Sequence, residues 1–214
     1  MSATPALRRG RGRRPAEEVR AEVLAAAARL LIAEGMRAVT FERIAHAAGA
    51  SKTTLYKWWP SPAALAAEAY YRESETLLSF PDTGDLHADL VAQMTAFLGL
   101  LTHGGAAGPV SELIGAAQTD RDLGETWSRV YGLPRRELAR ERLRSAQAQG
   151  ELPADADIDI MIDQLWGACY HRLLVLKVPL DDLDVERLVT AAMRGAGAAR
   201  GGGRNADEPP APAP

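Results

Sequence analysis

Residues Thr40–Trp59, TFERIAHAAGASKTTLYKWW, decide how the chain is read. They carry two short helical patterns around one tight turn. Thr40 offers a hydroxyl to cap the first helix, and Val39 and Ile44 are spaced as a hydrophobic staple. Phe41, Ile44, Ala45 and Ala48 recur at helical spacing, which predicts a single buried stripe. Gly49 ends that helix, since a residue without Cβ accepts a left-handed cap most easily. Ser51 then caps a second helix from Lys52 to about Trp58. A gap of three residues containing glycine, set between two short helices, predicts a helix-turn-helix.

In such a unit the second helix lies in the major groove with its first residues toward base edges. Ser51, Lys52, Thr53 and Thr54 hold those positions, and Lys52, Thr53 and Thr54 are expected to govern base choice. Leu55 and Trp58 are expected to point back into a small core. Tyr56 and Lys57 fall on the other side, placed for phosphates, and Thr40 is grouped with them. Arg43 faces outward from the first helix, as a phosphate or groove contact or as a plain solvated arginine. The alternative for the whole stretch is a helical hairpin with solvated polar residues.

Read over a longer window, Val23 to Leu65 resembles the DNA-binding domain of the TetR (tetracycline-repressor-like) family of bacterial transcription regulators. The matching residues are Ala26, Ala27, Leu30, Leu31, Gly35, Thr40, Ile44, Ala45, Ala48, Gly49, Ser51, Thr54, Leu55, Tyr56, Trp59, Ser61 and Leu65. GELPADADIDIMIDQLWGACYHRLL at 150–174 is similar, more loosely, to the family's variable sensor domain. Pro62 stands where family members usually carry a lysine that meets a phosphate. One backbone contact that the resemblance implies thus lacks its usual donor, although proline suits the first turn of a helix.

The charge is divided in the same way. Residues 1–60 hold 11 Lys+Arg and 5 Asp+Glu, a net +6, while residues 61–214 hold 14 and 23, a net −9. A basic third on an acidic remainder fits a DNA-reading head on a separate body. Residues 1–15 form an arginine-rich arm expected to be disordered in the free protein. Its Arg8, Arg9, Arg11, Arg13 and Arg14 can neutralise phosphates or enter a minor groove, or simply be solvated. No apolar run reaches the ~18 residues that a membrane span needs. The arm lacks the apolar segment of a secretory signal. A lone Cys169 fits a reducing compartment, so the expected location is the cytoplasm.

Beyond the turn, the pattern is helical throughout. Helix one is expected over 16–34, with Val19, Val23, Ala26, Ala27, Leu30 and Leu31 inward. A helix capped by Ser61 should run to about Leu78, and PDTGD at 81–85 is a natural boundary. Leu86, Leu90, Met94, Phe97 and Leu101, broadened by Val91 and Leu98, predict a widely buried helix. HGGAAG at 103–108 breaks it before a short helix to about Gln118. Another starts near Asp120, with Leu123, Trp127 and Val130 inward, and Gly132-Leu133-Pro134 should interrupt or kink it. Five arginines in the segment 134–149 favour a solvated surface helix. Residues 157–176 predict a helix so apolar that it needs a second partner besides its own core. A last helix spans about 181–193, and residues 196–214 read as a disordered tail.

The expected architecture is therefore all-α: an arm (1–15), a helix-turn-helix domain (16–60), a helical sensor and dimerisation domain (61–195) and a tail. The resemblance implies that the 61–78 helix links head to sensor. It also implies that the last two helices pair with their copies as a four-helix bundle, through Ile162, Leu165, Cys169, Leu173, Leu188 and Ala192. The alternative is that both helices only complete the monomer core. An inducer pocket in the body would be lined by Met94, Phe97, Leu98, Trp127, Tyr131, Trp166 and Tyr170, although such a set also reads as simple core. Its apolar character suggests a hydrophobic or aromatic ligand.

Enzymatic motifs do not fill the remainder. His46, His87, His103 and His171 are scattered, and no CxxC, HExxH, GxSxG or phosphate loop occurs. Cys169 and His171 are two apart and diverge on a helix. Asp155, Asp157, Asp159 and Asp163 cluster at a helix start, where the macrodipole favours them. The expectation is no enzyme, no cofactor and no metal. The protein should be a homodimeric regulator of palindromic double-stranded operator DNA, most simply a repressor released by a small hydrophobic inducer. The alternatives are a constitutive or structural DNA-binding protein without a ligand, and a helical enzyme that only looks like a regulator.

Overall fold

The computed structural model describes residues 14–197. Among them are ten α-helices and no strand: α1 Ala16–Glu34, α2 Phe41–Ala48, α3 Lys52–Trp58, α4 Pro62–Leu77, α5 Leu86–Thr102, α6 Ala107–Thr119, α7 Arg121–Trp127, α8 Leu133–Gln149, α9 Ile158–Tyr170 and α10 Val185–Gly197. They fall into two packing units. One runs to Thr76 and takes in Gly108–Tyr131; the other holds Leu77–Ala107 and the chain from Gly132 onward. The first unit thus gathers α6 and α7 with the head, a partition distinct from the expected division near residue 60.

In the first unit, α1 buries Val23, Leu24, Ala26, Ala27, Ala28 and Leu31. Phe41, Ile44, Ala45 and Ala48 of α2 form the second buried stripe. Gly35 ends α1 with φ 78° and ψ −178°, a conformation essentially open only to glycine. The turn frees the Met36 amide to donate to Glu112 Oε2 of α6 at 2.8 Å. Val110, Leu113 and Leu123 complete the apolar filling. Trp127 stacks on Tyr131 with centroids 4.5 Å apart, and Tyr70 lies 5.0 Å from the same tyrosine.

In the second unit, Leu86, Leu90, Met94, Phe97, Leu98 and Leu101 of α5 are buried, as their spacing predicts. Around them lie Leu143 of α8, Met161, Ile162, Leu165 and Cys169 of α9, and Val189 and Ala192 of α10. The solvated helix expected over 134–149 is corrected here: α8 buries Ala139, Arg142, Leu143 and Ala146. Arg142, 4% exposed, donates from Nε and Nη2 to Asp89 Oδ2 at 2.9 and 2.7 Å. Asp89, 1% exposed, also accepts from the Thr83 hydroxyl at 2.7 Å and the Thr83 amide at 3.1 Å. Glu151 accepts from Arg142 at 3.1 Å and from the Leu86 amide at 2.5 Å. A buried charge is tolerated only when paired and hydrogen-bonded, and here both halves are.

The other arginines of α8 are also bound within the protein. Arg136 and Arg140 pair with Asp159, Arg136 with Asp163, Arg144 with Glu137, and Arg135 donates to the Leu78 carbonyl. Asp157 caps α9 by accepting from the Ile160 amide at 3.0 Å. Two other sequence expectations shift. The chain stays helical across Gly132-Leu133-Pro134, through a π-helical turn at Ser128–Gly132. Pro134 then sits in the first turn of α8, where no amide is needed. The helix expected to reach 176 is α-helical only to Tyr170 and widens into a π-helical segment, His171–Leu176.

Candidate nucleic-acid interface

Three hydroxyls set the local geometry of the helix-turn-helix. Thr40 Oγ1 accepts from the Arg43 amide at 3.2 Å, Ser51 Oγ from the Thr54 amide at 3.1 Å, and Ser61 Oγ from the Ala64 amide at 3.1 Å. Each satisfies an amide that a helix start leaves without a partner. Gly49, at φ 58° and ψ 33°, is the left-handed cap that turns α2 into α3.

On this frame Leu55 is fully buried, and the face opposite it is free. Ser51, Lys52, Thr53, Tyr56 and Lys57 are exposed, and Thr54 is half-buried, its hydroxyl 2.8 Å from that of Ser51. Tyr56 rests its ring edge-on against Phe41, with centroids 4.7 Å apart. The contact limits how the ring can swing. Thr40 and Arg43 flank the same turn on α2, both exposed.

Acidic neighbours engage the cations of this face. Glu34 accepts two bonds from Arg43, at 2.7 and 3.0 Å, and Glu42 lies 3.4 Å from Lys52 Nζ. The Arg43 hydrogen bonds hold the Glu34 carboxyl below its usual range, so the pair is fully ionised at neutral pH. Arg14 donates to the Gly49 carbonyl at 3.0 Å and pairs with Glu22. The expected contacts Arg8, Arg9, Arg11 and Arg13 lie outside the described residues.

The tryptophan expected in the core is replaced by its neighbour. Trp58 is half-buried, whereas Trp59 is 3% exposed. Trp59 is the extended C-cap residue of α3, at φ −131°, so the chain leaves helical phase there and its ring turns inward. Its Nε1 donates to Glu68 Oε2 of α4 at 2.8 Å, and Arg20 of α1 donates to Glu68 Oε1 at 2.6 Å. The Arg20 guanidinium lies 4.7 Å from the centroid of the Trp59 ring. Periodicity misses Glu68, although it is the only charge in PAALAAEAYY at 62–71 and so stands out in the sequence.

The residues expected to line a ligand pocket are divided between the packing units. Trp127 and Tyr131 lie in the first. Met94, Phe97, Leu98, Trp166 and Tyr170 lie in the second, where Phe97 and Tyr170 meet edge-on at 5.6 Å. A surface concavity of about 380 Å³ in the first unit is lined by Ala28, Arg29, Ile32, Ala33 and Glu73, none of them expected. Of the expected dimer residues, Ile162, Leu165, Cys169 and Ala192 are buried inside their own unit, leaving little surface for a partner. Leu173 and Leu188 are half-buried. The large apolar side chains left exposed along this stretch are Ile160, Val175, Leu176 and Val178. Among the described residues no single helix is long and apolar enough to cross a membrane.

Comparison with known proteins matches both parts of the chain. Residues 23–69 fit the model described as bacterial regulatory proteins, tetR family, and residues 80–192 fit the tetracyclin repressor-like C-terminal domain. The uncharacterized HTH-type transcriptional regulator YdeS of Bacillus subtilis (strain 168) is 36% identical over 86% of this chain and 93% of its own length. The DNA-binding transcriptional repressor TetR of Mycobacteroides abscessus is 32% identical over 79% of this chain and 88% of its own. The solved structure of the TetR family transcription regulator SCO0332 superposes with a TM-score of 0.79 at 52% identity, covering 83% of this chain and 98% of that one.

Proposed function

The chain belongs to the TetR family of bacterial transcription regulators, and on that premise we propose that it is a homodimeric, cytoplasmic repressor which a small apolar ligand releases from a palindromic operator. It is a DNA-binding helix-turn-helix regulator and not an enzyme. The observation carrying the finer reading is α3 itself: Leu55 is fully buried beneath it, while Lys52, Thr53, Tyr56 and Lys57 are exposed on the opposite face. In this reading Lys52, Thr53 and Thr54 choose bases, with Ser51 at their head. Thr40, Arg43, Tyr56, Lys57 and the arginine arm contribute phosphate affinity.

In this reading the DNA-binding head spans 16–60 and the sensor and dimerisation body 61–195. A repressor assignment is supported by the relative described as one. Pairing of two copies draws on the exposed Ile160, Val175 and Leu176, together with Leu173 and Leu188, because apolar side chains this exposed gain by burial against a second copy. Ligand sensing rests on the aromatic and aliphatic residues of the second unit, Met94, Phe97, Leu98, Trp166 and Tyr170.

The test is selection of bound duplexes from random DNA by the full-length protein, followed by a salt titration on the enriched sequence. An enriched palindrome bound with a steep salt slope is expected. Sequence-blind binding would overturn the operator reading. A library of apolar compounds added to the complex should then contain members that release the DNA; a complex indifferent to all of them counts against ligand control.

A further inference from the structure

We propose that Glu68 of α4 is a positioning residue for operator binding, fixing the pitch of the recognition helix by holding Trp59 at its C-terminal end. The inference rests on the reading of α3 as the helix that enters the major groove.

A helix of seven residues is far below the ~12–15 at which isolated helices become stable, so α3 takes its orientation from what it is tied to. Ser51 caps its start, Leu55 anchors its middle, Tyr56 and Lys52 meet Phe41 and Glu42 of α2, and Trp59 anchors its end. Leu55 contributes burial, which is not directional and leaves the helix free to tilt about that point. The bond from Trp59 Nε1 to Glu68 Oε2, 2.8 Å long, is directional and acts one turn further along. A carboxylate acceptor makes it stronger than a neutral bond.

Glu68 is itself held. Arg20 donates to its other oxygen at 2.6 Å and covers the Trp59 ring at 4.7 Å, so α1, the end of α3 and α4 meet at a single carboxylate. Glu68 touches no residue of the exposed face of α3, and its side chain is 21% exposed. Its effect on DNA is therefore indirect, through Trp59 and the Arg20 guanidinium that covers it. Loss of the tie lets the start of α3 move relative to the groove, and hydrogen bonds to base edges tolerate little displacement.

The experiment compares the full-length protein with E68A and E68Q on the selected operator duplex. E68A should bind about tenfold more weakly, the scale of one lost charged hydrogen bond. Its salt slope should be unchanged, because no phosphate contact is removed. In E68Q the amide oxygen can still accept from the indole while its NH2 group faces Arg20, so part of the affinity should return. The Trp59 indole N–H resonance, one of four, should move in E68A and recover in E68Q. V23A, which removes fully buried bulk from α1, serves as a control for stability alone and should bind normally while folded.

Wild-type affinity in E68A overturns the inference and leaves the recognition helix untouched. An equal loss in a V23A variant of matched thermal stability also overturns it, since the effect would then be stability alone. A slope smaller by about one in E68A does so as well, by exposing a phosphate contact. Failure of the unmodified protein to select any duplex removes the reading on which the inference stands.

Discussion

The helix pair α2–α3 and the helix pair α5–α8 solve the same packing problem with different chemistry. In α2 and α3 every buried side chain is apolar, and the hydroxyls of Thr40 and Ser51 sit at helix starts. In α8 a full positive charge is buried, and its partners Asp89 and Glu151 come from α5 and from the turn after α8. The first pair is specified by residues within a few positions of one another. The second is specified across 53 residues of chain. Local order can thus be strong where tertiary order is cheap, and the DNA-reading surface is built on the local kind.

The contrast can be broken most forcibly at Arg142. R142A leaves Asp89 charged and buried, and should cost about 3–5 kcal/mol in a urea melt. The paired change R142M with D89L should recover most of that loss, since replacing both partners removes the penalty. Full stability in R142A would mean that the cluster is not the brace it resembles. In the head, the corresponding changes are smaller: T40A and S51A should each cost about 1 kcal/mol. A cost near that of R142A would erase the distinction.

Acid sharpens the same contrast. Burial alone would raise the Asp89 pKa, but the bonds from Thr83 and Arg142 outweigh it and hold the carboxyl below its ordinary value. A depressed carboxylate contributes stability that is fully present above its unfolded pKa, about 3.9, and is lost as pH falls through the folded value. Stability should therefore decline on acidification below about pH 4, and a D89N variant should show a flatter dependence in pH-resolved urea melts.

Smaller still is the effect of K57A, which should weaken binding to all sequences alike and lower the salt slope by about one. Loss confined to the preferred operator would move Lys57 from phosphate to base contact. Smallest is Cys169, fully buried, with its thiol pushed up to about 12 by that burial. It should resist alkylation in the native protein at neutral pH and react at once in urea. Rapid native alkylation would show α9 opening far more readily than its packing suggests.

Caps and stripes explain which parts of the fold were legible in the sequence. The boundaries of α1, α2 and α3 follow from Gly35, Thr40, Gly49 and Ser51, each acting on its own neighbours. The wide buried face of α5 was likewise written in its spacing. The exposure of Lys52, Thr53, Tyr56 and Lys57 then follows from the burial of Leu55. Arg142 was not legible, because an arginine among arginines gives no sign of which one finds a distant carboxylate. Trp58 and Trp59 were transposed because the chain leaves helical phase at residue 59, a break periodicity cannot register. The dimer residues assigned to α9 were its most regular apolar stripe, and regularity marked the side that its own unit covers.

Glu34 and Glu42, described above as partners of Arg43 and Lys52, have a consequence for how binding is measured. Each is a resident anion on the DNA-reading face, tethered so that dilution never lowers its local concentration. A phosphate that takes Arg43 must displace a carboxylate, which then gathers a cation from solution. That uptake offsets part of the ion release that drives association. The salt slope therefore counts fewer phosphates than the face engages. In the proposed reading the tethered carboxylates weaken binding to every duplex equally, and base contacts from Thr53 and its neighbours offset that loss on the preferred sequence.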